Sequence, residues 1–301
     1  MNIEAYELYA PLTRKDRYKY FKFIIIEGFF LLCTMLPIKL VWMSLMYKKK
    51  DSYFKLIFFV LIYFENLIMA IIEWYFVMKC WKLKLMFHKI NKNLKELMGI
   101  YSNDFRPKDN VYNKNKIKTN WCTRVWRHPS SVKVSSKCIY IESEDMAKIV
   151  EKLRIRHQLT REAVSSLIDL FNIPLCLSLC ALSIKTLFDI YYEVFKLRTL
   201  VYEFKIYIYL WLLQYSYRFY MIVMTTDTTM KQANKSKMLI TNLNNRYLNS
   251  SVKEELQLFF DQLNNTTMEI NACDIIPLNN NLITSAIAAG TTYLVLLLQF
   301  N

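Results

Sequence analysis

From Leu282 to Phe300 the chain runs nineteen residues without a single charge. A helix of that length rises ~28 Å, close to the ~30 Å of bilayer hydrocarbon. Four more apolar runs of similar length lie at about 21–46, 53–78, 167–192 and 201–224. A soluble chain can also be half apolar, so the 54% hydrophobic content alone decides little; the segregation of apolar runs from charged stretches decides more. In lipid each backbone amide must be satisfied within its own segment, which leaves helices as the natural spanning element. The expectation is an all-α, multi-pass transmembrane helical bundle, read as one domain over residues 1–301, with helix extensions outside the membrane. Residues 1–20 are polar and aromatic and carry no cleavable signal pattern.

The spans are imperfect, and their polar residues are informative. The first holds Glu27, Gly28, Pro37 and Lys39. The second holds Glu65, Asn66 and Glu73, and a charge at that depth should face protein or water rather than lipid. Glu65 and Glu73 are eight residues apart, about 80° around a helix, so they can share a face. The third carries Asp169, Pro174, Lys185 and Asp189; the fourth is dense in Tyr, Phe and Trp and is expected to end near Arg218, with aromatic anchors at the interface.

Charge sets the orientation. The net charge is +15, and residues 79–165 alone hold twenty Lys or Arg against eight Asp or Glu. Cytoplasmic loops carry such an excess, so this stretch and 225–280 are expected inside, the N-terminus cytoplasmic and the C-terminus extracellular. Lys48 to Lys50 then fall outside, in a short turn that the larger loop outweighs. A basic stretch between membrane spans points to lipid and topology rather than to nucleic acid.

Within the first loop, Leu83, Met86, Phe87, Ile90, Leu94 and Leu97 recur at helical spacing. Residues 100–140 read as a loop, broken by Pro107 and Pro129. No Gly or Pro occurs between Met146 and Phe171, so the helix that returns near 143 is expected to run unbroken into the third span. Further on, Ser251 and Glu254 resemble a capping box, and Leu256, Phe259, Phe260 and Leu263 line one face of a helix that Pro277 and Asn279 to Asn281 close off.

Enzymatic readings find little. The chain has no dinucleotide, P-loop or HExxH pattern, and three glycines leave almost no phosphate-cradling loop. No cofactor is expected. Cys122, His128 and Cys138 match no zinc spacing, so no metal site is expected. The seven cysteines read as scattered packing thiols, and His88, His128 and His157 as surface residues.

In the last span Ser285, Ala289, Thr292, Leu296 and Gln299 fall along one stripe. Small and hydroxyl residues suit close helix packing, and the same stripe suits the wall of a wet pore, where the Gln299 amide finds partners. Both readings stay open from spacing. The residues that end the chain, Thr292-Tyr293, five hydrophobic residues, then Gln299-Phe300, resemble the closing signature of the insect gustatory receptors. FFDQL and ACDIIPLNNNLITS within 259–285 resemble that family's approach to its last helix, although Asp274-Ile275-Ile276 stands where many members have glycine and aromatics. Residues 83–97 and 155–175 are similar to the helix below the family's fourth span and the approach to its fifth.

What the resemblance implies is a seven-span insect chemoreceptor of which these five spans are the third to seventh, the first two being absent. It implies a plasma-membrane, ligand-gated non-selective cation channel for taste, not an enzyme. A homo- or heterotetramer with other gustatory receptors would surround a pore lined by the last helix, with Ser285, Thr292 and Leu296 on its wall and Gln299 and Phe300 at the constriction. A small-molecule tastant would enter among the other helices from outside. An odorant receptor-like channel shares the architecture. Glu65, Asn66 and Glu73 also suit a transporter or scramblase, and the basic charge a soluble helical protein with nucleic-acid affinity.

Overall fold

The computed structural model describes residues 14–48, 53–103, 143–196, 202–244, 248–265 and 268–299. In chain order its elements are helices α1 (Arg14–Lys48), α2 (Tyr53–Asn103), α3 (Ser143–Lys196), α4 (Tyr202–Asn244) and α5 (Ser250–Asn264), strands β1 (Asn271–Ala272) and β2 (Ile276–Pro277), and helix α6 (Asn280–Gln299). The loop expected at 100–140 lies outside the described residues beyond Asn103, as do Cys122, His128, Cys138 and Phe300. Residues Met146 to Phe171 are helical throughout, as expected from a stretch without Gly or Pro. Pro174 sits inside the same helix, where its missing N–H removes one ladder bond without ending the element.

The chain divides into two compact units. One combines the described residues up to Lys89 with Gln158–Lys235 and Met268 onward. It has an apolar core that includes Phe76, Phe87, Phe171, Leu175, Leu179 and Ile222, but its exterior is apolar as well. Leu170 and Phe188, each 68% exposed, stand with Leu61, Phe64, Ile173, Leu177, Leu213 and Ile287 on the outside, while Asn66, Glu73, Gln214 and Arg218 are buried. Exposed apolar area on this scale marks a surface made for lipid or protein, and buried charge needs partners. Among the described residues, Met146–Tyr191 has the length and apolar composition to cross a membrane, with a mean hydropathy of 2.0 in its most apolar stretch.

The other unit, Ile90–His157 with Ser236–Thr267, is built the ordinary way round. Ile90, Leu94 and Leu97 of α2, Met146, Val150 and Leu153 of α3, Leu239, Ile240 and Leu243 of α4, and Val252, Leu256, Phe259 and Leu263 of α5 form one apolar core. The stripe read from 83–97 is therefore real: all six of its residues are buried. Phe260 is only half-buried beside that core. His157 corrects the sequence reading. It is 1% exposed and meets the Phe259 ring edge-on at 5.5 Å, a core histidine rather than a surface one. Asn249, not Ser251, takes the N-cap position of α5, with no side-chain cap bond, so the capping box does not form.

Helix α4 also outruns its expected end near Arg218. Thr225, Thr226, Asp227 and Thr229 continue it as buried residues. Threonine is a modest helix former, but its hydroxyl can bond back to the preceding turn. Thr225 donates to the Met221 carbonyl at 2.6 Å, and Thr229 to the Thr225 carbonyl at 2.7 Å. Thr226 shares its one proton among the Ile222, Val223 and Leu278 carbonyls. The last of these ties α4 to the end of the hairpin. In that hairpin Cys273 (φ 50°) and Asp274 (φ 56°) are both left-handed, and the Ile275 N–H bonds the Ala272 carbonyl at 3.2 Å. Two positive φ values in succession match the twist of a tight hairpin and suit glycine, asparagine or aspartate.

Candidate functional site

The polar residues read in the second span converge on one point. Asn66 and Glu73 are seven apart on α2 and share a face. Across from them stands Arg218 of α4, whose Nε donates to Glu73 Oε2 at 2.6 Å and whose Nη2 donates to Glu73 Oε1 at 2.7 Å. Its Nη1 donates to Asn66 Oδ1 at 3.0 Å. From α3, the Ser178 hydroxyl donates to Glu73 Oε1. Both side chains of the ion pair are only 4% exposed. The planar guanidinium matches the carboxylate with two parallel bonds, a stronger and more directional contact than a lysine could make. Three helices are thus pinned by one neutralised charge pair.

A second polar contact flanks the first. The Tyr217 hydroxyl donates to Glu27 Oε1 of α1 at 2.6 Å. Between the two lies a cavity of about 20 Å³ bordered by Glu27, Ala70, Glu73, Trp74, Tyr217 and Arg218. That is room for roughly one water and no tastant.

Glu65 does not join this cluster. Its side chain is 59% exposed and lies 3.8 Å from Lys185 of α3. The offset that sequence spacing allowed as a shared face instead carries Glu65 past the edge of the buried one. Arg218, Tyr217, Ser178 and Glu27 are the partners that sequence reasoning did not assemble. An arginine within an aromatic apolar run is a usable signal, because a charge at that depth must turn to a buried partner.

Helix α6 has two distinct sides. Leu282 and Ala286 pack toward α3, bordering a cleft of about 250 Å³ with Leu179, Cys180, Ser183, Ile184 and Phe219. A second cleft, about 320 Å³, opens among Ile184, Leu187, Phe188, Tyr191 and Tyr293. The other side carries the stripe: Ser285, Ala289, Thr292, Leu296 and Gln299 are all exposed. Thr292 donates its hydroxyl to the Ala288 carbonyl at 2.9 Å, leaving its oxygen lone pairs outward.

Long helices, an apolar exterior and a buried ion pair suit a helical membrane protein. A family model describing the 7tm chemosensory receptors matches residues 6–301, and the chain belongs to that family, the family of the insect gustatory receptors. Its members are receptors, not enzymes. No curated protein matches the chain.

Proposed function

We propose that the protein is a gustatory receptor subunit, a ligand-gated non-selective cation channel opened by a small-molecule tastant. Four subunits, alike or mixed with other gustatory receptors, surround a pore in the plasma membrane. The spans are those read from the sequence, with the N-terminus and the unit formed around α5 in the cytoplasm and the C-terminus outside. Helix α6 lines the pore through Ser285, Thr292, Leu296 and Gln299, and Phe300 forms an apolar constriction beside Gln299. The observation that carries this reading is the exposed stripe on α6 of Ser285, Ala289, Thr292 and Gln299, which runs beside exposed Ile287, Tyr293 and Val295 while Leu282 and Ala286 pack on the same subunit. A tastant entering among α1, α2 and α4 must part those helices, since the cavity there holds only about a water.

The transporter reading has less support. A carboxylate that binds cargo or titrates needs access, and Glu73 is engaged by Arg218 through two bonds and by Ser178. Recording from cells at matched surface expression tests the proposal. An apolar ring narrows and dewets a pore, so Phe300→Ala raises ligand-independent cation current. Gln299→Leu lowers it, because the polar lining is lost. Equal currents in the wild type and both variants remove these residues from the pore.

A further inference from the structure

The hairpin that leads into α6 places a cysteine over a pair of cysteines on α3. Cys176 makes side-chain contacts with both Cys273 and Cys180. Independently, the Cys273 Sγ lies 3.9 Å from the Asn172 carbonyl, one turn before Cys176 on the same helix. The neighbouring Asp274 carboxylate accepts from Asn172 Nδ2 at 3.4 Å, so the tip of the turn is docked on α3 at two points. The left-handed φ of Cys273, 50°, is uncommon for a residue with a side chain and aims this thiol from the tip of the turn. All three thiols are reduced; Cys180 is exposed, while Cys176 and Cys273 are half-buried. Cys80, by contrast, is fully buried.

We propose that Cys176 and Cys273 form an oxidisable thiol pair, a modification site at which a peroxide closes a disulfide between α3 and the hairpin. The pairing follows from geometry. Residues four apart on a helix keep their Cβ atoms ~5–6 Å apart. A disulfide needs roughly 3.5–4.5 Å, so Cys176 and Cys180 cannot close without unwinding α3. Cys273 approaches from another element and carries no such restriction. In the reaction one thiolate attacks hydrogen peroxide, the O–O bond breaks, hydroxide leaves and a sulfenic acid forms. The second thiolate then attacks that sulfur and expels hydroxide. Two thiols and one peroxide become one disulfide and two waters. Such a bridge fastens the segment leading into α6 onto α3, whatever α6 does.

The full-length protein in lipid nanodiscs, treated with hydrogen peroxide and then blocked with N-ethylmaleimide, provides the test. Digestion with trypsin without reductant leaves Cys176 and Cys180 on the segment 162–185 and Cys273 on 254–301. The expected product is these two segments joined with loss of two hydrogens, carrying one maleimide adduct on the free Cys180, and separated again by dithiothreitol. Fragment ions assign the bridge to Cys176, Cys180→Ser retains it, and Cys273→Ser abolishes it. The wild-type digest decides alone if a variant misfolds. A Cys176–Cys180 bridge, a bridge from Cys273 to any other cysteine, or oxidised but unlinked thiols each overturn the proposal.

Discussion

Replacing Arg218 by Met tests whether the buried ion pair holds the helices together. The guanidinium makes two bonds to Glu73 and one to Asn66, from a site 4% exposed. Methionine fills much of the same volume but leaves the Glu73 carboxylate with Ser178 as its remaining partner. Removing one member of a buried pair costs about 3–5 kcal/mol, because the charge left behind stays desolvated. At roughly 2–4 °C per kcal/mol for a domain of ~200 residues, the loss is on the order of 10 °C in apparent melting temperature. Removing both charges reverses this. In Glu73→Met/Arg218→Met no charge is stranded, and the pair's replacement by apolar residues is neutral or stabilising by about 1–4 kcal/mol in comparable cases. The assay is thermal retention of the detergent-solubilised monodisperse peak for wild type, both single variants and the double variant. The reasoning requires the double variant to outlast either single one. Additive losses, or an Arg218→Met variant within a degree of wild type, would refute it.

Phe259, fully buried in the α5 core beside His157, supports a second stability test: Phe259→Ala costs about 3–5 kcal/mol, read as loss of the folded fraction in the same assay. The proposed cytoplasmic placement of α5 predicts that the sequons at Asn249, Asn264 and Asn265 stay unmodified. A glycosidase-sensitive mass shift lost on Asn264 and Asn265 substitution would reverse the orientation.

The helical architecture was legible because hydropathy acts locally. The stripe from Leu83 to Leu97, the unbroken run into α3 and the buried side of α5 each follow from residues near in sequence. The buried position of Asn66 and Glu73 was legible for the same reason: polar groups in an apolar run must turn inward. Their partners were not, since Arg218 lies 145 residues from Glu73 and 152 from Asn66, and nothing local selects it. Spacing alone did not place Glu65, because an 80° offset is compatible with either side of the boundary between buried and exposed faces. Helix α4 was shortened because the Thr225–Thr229 run looks polar, whereas in the fold its hydroxyls are spent on its own backbone. The meeting of Cys176 with Cys273 depends on a hairpin that two residues in left-handed conformation create.

The distribution of polar contacts separates what is held from what can move. Helices α2, α3 and α4 are joined by Glu73, Arg218, Asn66 and Ser178, and α1 is added through Glu27 and Tyr217. Bonds of that kind in a low-dielectric interior fix both distance and rotation, since any slip strands a charge. Helix α6 is attached differently. The hydroxyls of Thr284, Thr291 and Thr292 all go to carbonyls of their own helix, and the contact with α3 is made by Leu282, Ala286 and Gly290 beside two clefts. Apolar contacts of this sort tolerate sliding, because one methyl neighbour is nearly as good as the next. On the proposed reading, gating therefore belongs to α6 moving over a frame that the ion pair keeps rigid. The frame's polar bonds must then survive opening, while the α3–α6 clefts change shape.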